Sequence, residues 1–545
     1  MSGLFAALRT DGAPDPQTWI VADARIDYPG TPAVADSERI LRAFMRWGDR
    51  CVEHLLGDFA FALWDGRARR LFCVRDHMGV KPLYYVHARG WLLVSTGVDA
   101  LRQHPATSDT LDDLAVADFL LFGHKADPET TTFRDIRRVP PGHTLTWSPE
   151  GGCRITRYWE MPVEEPVYRK DQEYADELRA LVDRAVADRM RGERVSVFFS
   201  GGLDSTIVAA CAHRQGASQG RDGVRAFSFV QESLLADEER RHAAAAAAHL
   251  DIRCEFYEAG ASRAWDHLES APTPEPLLRS VDPAAQARCL NAAAAHSRVA
   301  LTGEGADNAL IYEWASYVRY LWRARRFGRI GADAASFLRR HRRLPLWSVW
   351  TRAGATAVDG TAASPIPSWL SRDFVARLRL EDRWRFVMRP PVSPHPVRPA
   401  AYFSLQLPLW QAVFDEWDPC YTGVALDVSH PWLDVRVLRF LLTVPVIPWC
   451  REKHVLRYAF ANDLPRQVRR RPKTPLPGSP GHAKIARDGV PPVARSPHLG
   501  AYVESANLHA PPTGSVAEAE AALRLVTLSH WLAHLESRCL AAAVD

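Results

Sequence analysis

The sequence is poor in the features that mark secreted, membrane-bound or metal-clustered proteins. Its nine cysteines are scattered, odd in number and never spaced as C-x-x-C, which argues against both a zinc site and a disulfide framework. No apolar run approaches the roughly 18 residues of a membrane span, and the N-terminus lacks a signal-peptide pattern. The net charge of +4 gives no sign of a polyanionic partner. We therefore expect a cytoplasmic protein with reduced thiols, no membrane span and no nucleic-acid partner.

The most informative stretch that is present is a glycine- and serine-rich loop between an apolar strand and an apolar helix, at V-S-V-F-F-S-G-G-L-D-S-T (195–206). Its glycines let backbone N–H groups approach an anion, its serines add hydroxyl donors, and the helix N-terminus favours negative charge. Asp204 would then sit among phosphates, as a ligand of a divalent cation does. The loop is not Walker A, because G-x-x-x-x-G-K-[ST] is absent. The alternative is a glycine-rich turn in an ordinary α/β protein.

The chain divides into a β-rich part and a part in which strands and helices alternate. Short apolar runs bounded by Gly, Asp or Arg predict strands in the first ~160 residues, at 19–22, 59–64, 71–74 and 91–94. From the glycine loop onward, strand and helix patterns alternate, which predicts a parallel, doubly wound sheet. The remainder is mostly helical, with Pro-rich breaks at 389–399 and 475–514. Arginines clustered between Arg319 and Arg343 are interpreted as a solvated helix face.

Several motifs together resemble the glutamine-dependent asparagine synthetases. Three segments resemble the N-terminal domain of that family: L-L-G-D-F-A-F-A-L-W-D (55–65), R-D-H-M-G-V-K-P-L-Y-Y (75–85) and V-P-P-G-H (139–143). Four further segments resemble its synthetase domain: the glycine loop (200–205), L-T-G-E-G-A-D (301–307), K-x-x-L-R from Lys453, and R-P-K ending at Lys473. The resemblance implies an α/β protein with an N-terminal Ntn-hydrolase-like β-sandwich, residues 1–163, that is an inactive glutaminase-like domain. It implies a doubly wound PP-loop ATP pyrophosphatase synthetase domain with helical additions over 167–545.

The resemblance also implies cofactors and site residues. The cofactors are ATP and Mg²⁺, with ATP cleaved to AMP and pyrophosphate. The pyrophosphate would be held by Ser200, Gly201, Gly202, Leu203 and Ser205, and adenosine by Phe199, Phe229, Thr302 and Gly303. Asp204 and Asp307 would bind the metal; the alternative is that they are helix N-caps. Catalytic roles would fall to Lys473 near the reacting carbonyl, Glu304 toward the incoming amine, and Asp427 behind the site.

The departures from the family pattern affect the glutaminase. Ser2 stands where the family has its N-terminal Cys nucleophile, and serine can also serve as such a nucleophile. However, the family's Arg-His-Arg-Gly-Pro-Asp segment is absent, and D-A-R (23–25) replaces its Asn-Gly-Glu turn. We therefore expect no working glutaminase, and an N-terminal domain retained as a structural partner.

Without glutaminase, the amine must come from elsewhere, and two relatives use one already present on the substrate: β-lactam synthetase and the lasso-peptide cyclase. Asn308 and the pair Glu313-Trp314 resemble the lasso-peptide cyclases, whereas β-lactam synthetase has Tyr at the position of Glu304. This resemblance implies a macrolactam synthetase acting on a linear precursor core peptide, with a leader peptidase and a leader-binding protein as partners. The alternatives are a β-lactam or carbapenam-type synthetase, an ammonia-dependent asparagine synthetase, or an inactive scaffold.

Overall fold

A computed structural model describes residues 5–9, 18–27, 34–218, 223–235, 238–260, 273–278, 282–341, 366–389, 392–472, 478–504 and 513–542. The strands are β1 Phe5–Arg9, β2 Trp19–Ile26, β3 Gly57–Asp65, β4 Arg70–Arg75, β5 Tyr84–Ala88, β6 Trp91–Ser95, β7 Arg137–Arg138, β8 His143–Ser148, β9 Gly152–Arg157, β10 Val195–Phe198, β11 Val224–Val230, β12 Arg253–Glu258, β13 Val299–Leu301 and β14 Asp427–Ser429.

The first helices are α1 Asp36–Trp47, α2 Val98–Arg102, α3 Asp113–Phe122, α4 Asp171–Arg189, α5 Leu203–Ser218, α6 Glu239–His249, α7 Pro283–His296, α8 Ala306–Ala309, α9 Trp314–Arg323 and α10 Phe327–His341. The later helices are α11 Arg372–Leu378, α12 Leu380–Met388, α13 Pro399–Ser404, α14 Leu409–Trp417, α15 Pro419–Thr422, α16 Val435–Thr443, α17 Val446–Trp449, α18 His454–Ala459, α19 Arg466–Arg470, α20 Pro480–Asp488 and α21 Val516–Ala542. Short 3-10 helices span Gly48–Glu53, Pro431–Leu433, Arg451–Lys453 and Pro497–Ala501.

The N-terminal strands form two antiparallel sheets that pack face to face, one ordered β1-β6-β5-β7 and the other β2-β3-β4-β8-β9. Side chains alternate between the faces of a strand, and β3 shows the result. Ala62 and Trp64 pack between the two sheets, whereas Phe61 and Leu63 pack on the opposite face with α1. Because both faces of β3 are covered, its sequence is apolar from Phe59 to Trp64. The predicted strands at 19–22, 59–64, 71–74 and 91–94 lie within β2, β3, β4 and β6.

The second part contains a five-stranded sheet in the order β12-β11-β10-β13-β14, with every pairing parallel. Helices cover both of its faces, as parallel sheets require. Val197 of β10 packs in one core with α5 and α6, whereas the next residue, Phe198, packs with α7 on the opposite face. The predicted doubly wound sheet is thus present in the described residues, although the sequence patterns missed the short strand β14.

Late segments of the chain return to the N-terminal sheets and complete their core. Phe119 of α3 shares a buried cluster with Trp369, Tyr502 and Trp531, which lie more than two hundred residues further along the chain. The Arg524 side chain on α21 donates a hydrogen bond of 2.9 Å to the carbonyl of Leu120. The stretch 161–170, which joins the two predicted domains, has no helix or strand. Residues that precede it and residues that follow it nevertheless share one hydrophobic core.

The R-D-H-M-G motif builds the junction between the two parts. The Asp76 carboxylate accepts backbone hydrogen bonds from residues 78–81, including 2.7 Å from Gly79, and burial raises the pKa of Asp76 to about 6. The Arg75 guanidinium donates to three carbonyl oxygens and to the side chain of Gln411 in α14. Burial, together with the charge of Arg138, lowers the pKa of Arg75 to about 10. This motif therefore acts structurally, by fixing a turn and joining it to the synthetase part.

No helix in the described ranges is both long and apolar enough to cross a membrane.

Candidate active site

Two loops meet at the carboxyl ends of the central parallel strands. The first runs from Phe199 through the glycine loop into α5, and the second runs from Thr302 into α8. Their strands, β10 and β13, are direct neighbours in the sheet. Carboxyl ends of parallel strands at such a position are the usual site for ligands in α/β proteins. The structure therefore brings together the predicted residues 199–205, Thr302, Gly303, Glu304 and Asp307.

Two glycines allow these loops to pack closely. Gly201 has a φ of +65°, and a Cβ built on it would lie 2.4 Å from the backbone nitrogen of Ala243 in α6. A Cβ on Gly303 would lie 2.7 Å from the backbone nitrogen of Ser205, so the second loop rests directly on the first. Any larger residue at either position would push backbone apart. Close packing, and not only approach to a ligand, thus requires glycine in both motifs.

Within the glycine loop the two serine side chains are hydrogen-bonded to each other. The hydroxyls of Ser200 and Ser205 lie 3.1 Å apart, and the Ser200 hydroxyl also accepts a hydrogen bond of 3.3 Å from the Gly202 N–H. Leu203 begins α5 and packs against the main core, which anchors the first turn of the helix. The loop is therefore a compact turn at a helix N-terminus, a geometry that suits an anionic group.

Lys453, the first residue of the K-x-x-L-R motif, lies between the two predicted metal ligands. The Lys453 ammonium contacts Oδ2 of Asp204 and lies 2.6 Å from Oδ1 of Asp307. Lys453 and the preceding Glu452 both have left-handed backbones, with φ of +55° and +49°. Such conformations cost of order 1–3 kcal/mol each and cluster at functional sites. The arrangement shows that one cation position is within reach of both carboxylates.

The pair Asp204 and Asp307 fits a magnesium ion that is shared with a nucleotide. Mg²⁺ is usually held by one or two carboxylates, with substrate phosphates and water filling its other positions. No group of three or more His, Cys, Asp or Glu side chains that could hold a metal occurs within the described residues. Asp204 and Asp307 would therefore hold the ion together with phosphate oxygens, beside the Lys453 ammonium that contacts both carboxylates.

The residues predicted to hold adenosine lie at the ends of three strands. Phe199 is buried directly after β10, and its N–H bonds to the Phe227 carbonyl at 2.9 Å. Phe229 is half-buried near the end of β11, and Thr302 is buried after β13. These positions border the glycine loop along the sheet edge. Their contact with a nucleotide remains a prediction.

Glu304 has a neighbour that sequence patterns did not indicate. Nδ1 of His430 lies 3.1 Å from Oε2 of Glu304 and 2.9 Å from the Thr302 hydroxyl. His430 is buried, whereas the Glu304 side chain is 38% exposed, so this carboxylate can also reach a ligand. His430 directly follows β14, and because no sequence pattern predicts that strand, none predicts His430 beside the site.

Asp427 lies elsewhere. It begins β14, opposite Val299 at the start of β13, and its Oδ1 pairs with the Lys81 ammonium at 2.9 Å. Lys81 also lies 3.3 Å from Asp23, so two N-terminal residues and Asp427 form one charged cluster. Burial lowers the pKa of Lys81, but Asp427 and Asp23 raise it well above its usual value. The structure thus joins Asp427 to the domain junction and does not bring it to the glycine loop.

Lys473 lies outside the described residues, but the segment before it is fixed. The Arg457 guanidinium donates hydrogen bonds of 2.7 Å to the carbonyls of Glu452, Arg469 and Arg471. Burial lowers the pKa of Arg457. The motif K-x-x-L-R therefore ties the chain leading to Lys473 to the turn that carries Lys453.

The turn that aligns with the family's glutamine clamp is filled by buried ion pairs. Arg25 contacts Asp27 and lies 2.8 Å from Asp58. Arg189 of α4 lies 3.6 Å from Asp58 and 2.9 Å from Asp434. Burial raises the pKa of Asp58, but Arg25 and Arg189 outweigh it and lower the pKa to about 2. Arg436 lies 2.8 Å from Asp434, so three arginines and three aspartates pair across the junction of the two parts.

Comparison with known proteins supports this architecture. Residues 177–500 match the asparagine synthase family, and residues 31–159 match the glutamine amidotransferase domain. Glutamine-hydrolyzing asparagine synthetase 3 of Bacillus subtilis is 32% identical over 199 residues, which cover 36% of this chain and 32% of that protein. A putative glutamine-hydrolyzing asparagine synthetase of Mycobacterium tuberculosis is 27% identical over 478 residues, which cover 81% of this chain and 70% of that protein.

A solved structure of glutamine phosphoribosylpyrophosphate amidotransferase from B. subtilis overlaps 48% of this chain and 64% of that chain, with 13% identity and a TM-score of 0.19, which is too slight to bear on the fold. The asparagine synthase match covers more than half of the chain and includes both loops of the candidate site, as well as Lys453. This protein therefore belongs to the asparagine synthase family, and a glutamine amidotransferase domain precedes its synthase domain.

Proposed function

We propose that the protein is an ATP-dependent, AMP-forming macrolactam synthetase. It activates an Asp or Glu side chain of a linear precursor core peptide as an acyl-adenylate, and the N-terminal amine of the same peptide closes an isopeptide bond. The products are a lasso peptide, AMP and pyrophosphate. The observation that carries the activation step is the convergence of Asp204 and Asp307 on one cation beside the glycine loop. The PP-loop character of this domain belongs to the same proposal.

The residues of the site suit the charge that the reaction develops. Bound Mg²⁺ would supply a positive charge at the phosphates, and preorganised cations and N–H donors act in the same direction. Ser200, Ser205 and the start of α5 face the position where pyrophosphate forms, and Lys453 supplies an ammonium there. Phe199, Phe229 and Thr302 would bind the adenosine at the strand ends.

Glu304 is the group best placed to receive a proton from the amine. Its side chain is partly exposed, and its Oε2 lies 3.1 Å from the His430 ring, which is itself bonded to the Thr302 hydroxyl. An α-amine has a pKa near 8, so a fraction is already free base at neutral pH and the demand on the base is modest. His430 is then a positioning residue, because it acts through Glu304.

Two features support an amine that arrives with the substrate. Arg25 replaces the carboxylate of the family's glutamine-binding turn and is paired with Asp58, so the position that would meet a glutamine α-amine carries a cation. The Glu313-Trp314 pair and Asn308 are the features that resemble the lasso-peptide cyclases. Glu313 accepts hydrogen bonds of 2.6 and 2.8 Å from the N–H groups of Ala400 and Ala401, and so orders α13 beside the site. The peptide partners, a leader peptidase and a leader-binding protein, follow from this proposal.

The decisive assay supplies purified enzyme, ATP and Mg²⁺ with a leader-free core peptide that carries one Asp or Glu several residues from its N-terminus. We expect a product that is lighter by one water and has a blocked N-terminus, together with equimolar AMP and pyrophosphate. The same peptide with an acetylated N-terminus is the control and should not cyclise. Formation of ADP and phosphate as the sole nucleotide products would exclude this chemistry.

A second candidate is an ammonia-dependent asparagine synthetase. It is favoured by Glu304, which β-lactam synthetase replaces with Tyr. The bacterial relatives are glutamine-hydrolyzing asparagine synthetases, which supports asparagine as the product but not ammonia as the amine source. A β-lactam or carbapenam-type synthetase is the corresponding small-molecule alternative. Aspartate with ammonium, and a suitable β-amino acid, are therefore tested beside the peptide. Asparagine or a β-lactam as the sole product would replace the peptide proposal.

We predict that glutamine is not hydrolysed. Incubation with glutamine, ATP and Mg²⁺ should release no glutamate above the rate without enzyme, because Arg25 occupies the clamp position. Ser2→Ala, at a position outside the described residues, should leave product formation unchanged. Glutamate released in step with ATP use would contradict this prediction, and so would a strong loss of activity in a folded Ser2→Ala protein.

We also predict that Lys473→Ala lowers kcat about a hundredfold, since loss of one preorganised cation in the transition state typically costs that much. ATP and peptide binding should change little, because the charge that the ammonium meets grows only in the transition state. Lys473→Arg should not restore full activity, since the planar guanidinium is not a compact point charge. Lys170→Ala, an exposed lysine before α4, is the matched control. Unchanged kcat in Lys473→Ala would remove this lysine from the mechanism.

A further inference from the structure

Helices α9 and α10 present large apolar side chains to solvent. Trp322 is 65% exposed, Phe327 52% and Leu338 43%. The rings of Trp322 and Phe327 meet edge to face, with their centroids 5.1 Å apart. Phe327 and Leu338 are separated by about three helical turns and so share one side of α10. We call this surface, together with Arg319, Arg323 and Arg325, the Trp322 face.

The exposed side of α10 carries small residues between Phe327 and Leu338. The exposed positions of this stretch are held by Gly328, Gly331, Ala332 and Ala335. The charged residues of this stretch, Arg329 and Asp333, pair with each other at 2.8 Å, and Asp333 is buried. Small residues between two exposed apolar side chains leave room for another element to pack closely against this side of α10.

Arginines border this apolar stripe. Arg319, Arg323 and Arg325 are exposed, and within the described part of the chain their side chains make no ion pair or hydrogen bond. Arg326 differs, since it lies 3.4 Å from Glu165. Exposed arginines without an ion pair are stable in water, but exposed aromatic rings between them are unfavourable there and indicate that another molecule covers them. Trp and Arg together are the side chains most enriched where protein interfaces gain their binding energy.

We propose that the Trp322 face is the docking site for a partner protein, and that its occupant is an amphipathic helical segment with acidic side chains. The apolar side of such a segment would lie along Phe327, Leu338 and the small residues between them, as helices do in apolar grooves. Its carboxylates would pair with the three bare arginines and steer the encounter. The proposal does not depend on which carboxylate the enzyme activates.

The face is rigid and close to the candidate site. The Tyr317 hydroxyl of α9 donates a hydrogen bond of 2.7 Å to Asp333 of α10, so the two helices are fixed before a partner arrives. On the inner side of α10, the Arg451 guanidinium lies 4.9 Å from the centroid of the Phe337 ring. Arg451 starts the turn that ends at Lys453. A bound partner would therefore be about one helix diameter, roughly 10 Å, from the turn that carries Lys453.

The test uses the full-length protein and a fluorescein-labelled 15-residue peptide with glutamates on one helical side and leucine and tryptophan on the other. We expect saturable binding in an anisotropy titration, weakening as salt is added. Trp322→Ala and the pair Arg323→Glu with Arg325→Glu should each weaken binding tenfold or more. Phe386→Ala is the matched control, because Phe386 is 74% exposed beside Arg385, whose charge is already paired with Glu381 and Asp382.

Every variant should keep wild-type ATP–pyrophosphate exchange, which shows that it is folded and separates this test from the function proposed above. The proposal is overturned if the acidic peptide does not bind, or if the same peptide with lysine for glutamate binds equally well. It is also overturned if Trp322→Ala has no more effect than Phe386→Ala. Tighter binding of single-stranded DNA or phosphatidylglycerol vesicles would assign the face to another class of partner. A dimer of wild-type protein that Trp322→Ala disrupts would assign it to a second copy of the chain.

Discussion

Replacing Asp204 with asparagine should lower ATP–pyrophosphate exchange about a thousandfold or more while the protein stays folded. Asparagine keeps the size of the side chain but removes one of the two carboxylates that converge on a single cation. Both Lys453 and a bound magnesium ion would lose a charged partner. Stability should change by only ~1 kcal/mol, since a carboxylate in the first turn of a helix contributes little more than this.

The measurement compares exchange rates at saturating ATP over a range of Mg²⁺ concentrations. Asp373→Asn is the matched control, because Asp373 also lies in the first turn of a helix but is exposed and far along the chain. It should behave as the wild type. If excess Mg²⁺ restores the wild-type rate to Asp204→Asn, the carboxylate only strengthens metal binding. Near-normal exchange at ordinary Mg²⁺ would show that Asp204 is not a metal ligand.

Replacing Arg138 with methionine should lower the free energy of unfolding by about 3–5 kcal/mol, because removing one member of a buried ion-pair cluster leaves unpaired charge in the protein interior. Arg138 lies 2.9 Å from Asp415 and 3.4 Å from Glu275, and all three side chains are buried. Burial lowers the pKa of Arg138, but Asp415, Tyr84 and Glu275 raise it well above its usual value. The guanidinium thus stays charged at every pH at which the protein is folded.

Urea unfolding followed by tryptophan fluorescence measures the change. Arg137→Met is the matched control, because Arg137 is the neighbouring residue of β7 and points to solvent. It should change stability by no more than about 0.5 kcal/mol. Equal effects of the two substitutions would show that the buried cluster does not hold the two parts of the chain together.

The same cluster gives a direction for acid unfolding. Burial raises the pKa of Glu275, but Lys125 and Arg138 outweigh it and lower the pKa to about 2. A carboxyl with a lowered pKa in the folded state stabilises the protein above its unfolded pKa, near 4.3. That contribution is lost as the pH falls from about 4 toward 2. Arg138→Met should therefore remove part of the acid sensitivity along with the stability.

Local sequence patterns are enough to locate strands of the N-terminal sheets and the parallel sheet that carries the site. The apolar runs and turn residues located β2, β3, β4 and β6, and the alternation after the glycine loop indicated the parallel sheet. The glycine loop and the L-T-G-E-G-A-D segment were singled out from residue chemistry and resemblance, and their strands are neighbours in the sheet. These features depend on residues close together in the chain, which is why a single sequence contains them.

Contacts between distant segments were not predictable in this way. β14 has three residues and no alternation of its own, so His430 could not be placed beside Glu304. Asp427 pairs with Lys81, which precedes it by 346 residues. Lys453 reaches Asp204 across 249 residues through a turn with two left-handed backbones. No periodicity encodes such pairings, because they depend on how whole elements pack.

The shared core of the N-terminal sheets and α21 has a consequence for synthesis of the protein in the cell. Arg524 meets Leu120 across 404 residues, so α3 leaves the ribosome long before the helix that covers it. At about 5–20 residues per second, that interval is roughly 20–80 s. During this time the nascent domain exposes the surface that Trp531 and Leu528 later bury. Deleting the N-terminal domain would therefore expose the apolar side of α21 that packs on α3, whatever chemistry that domain performs.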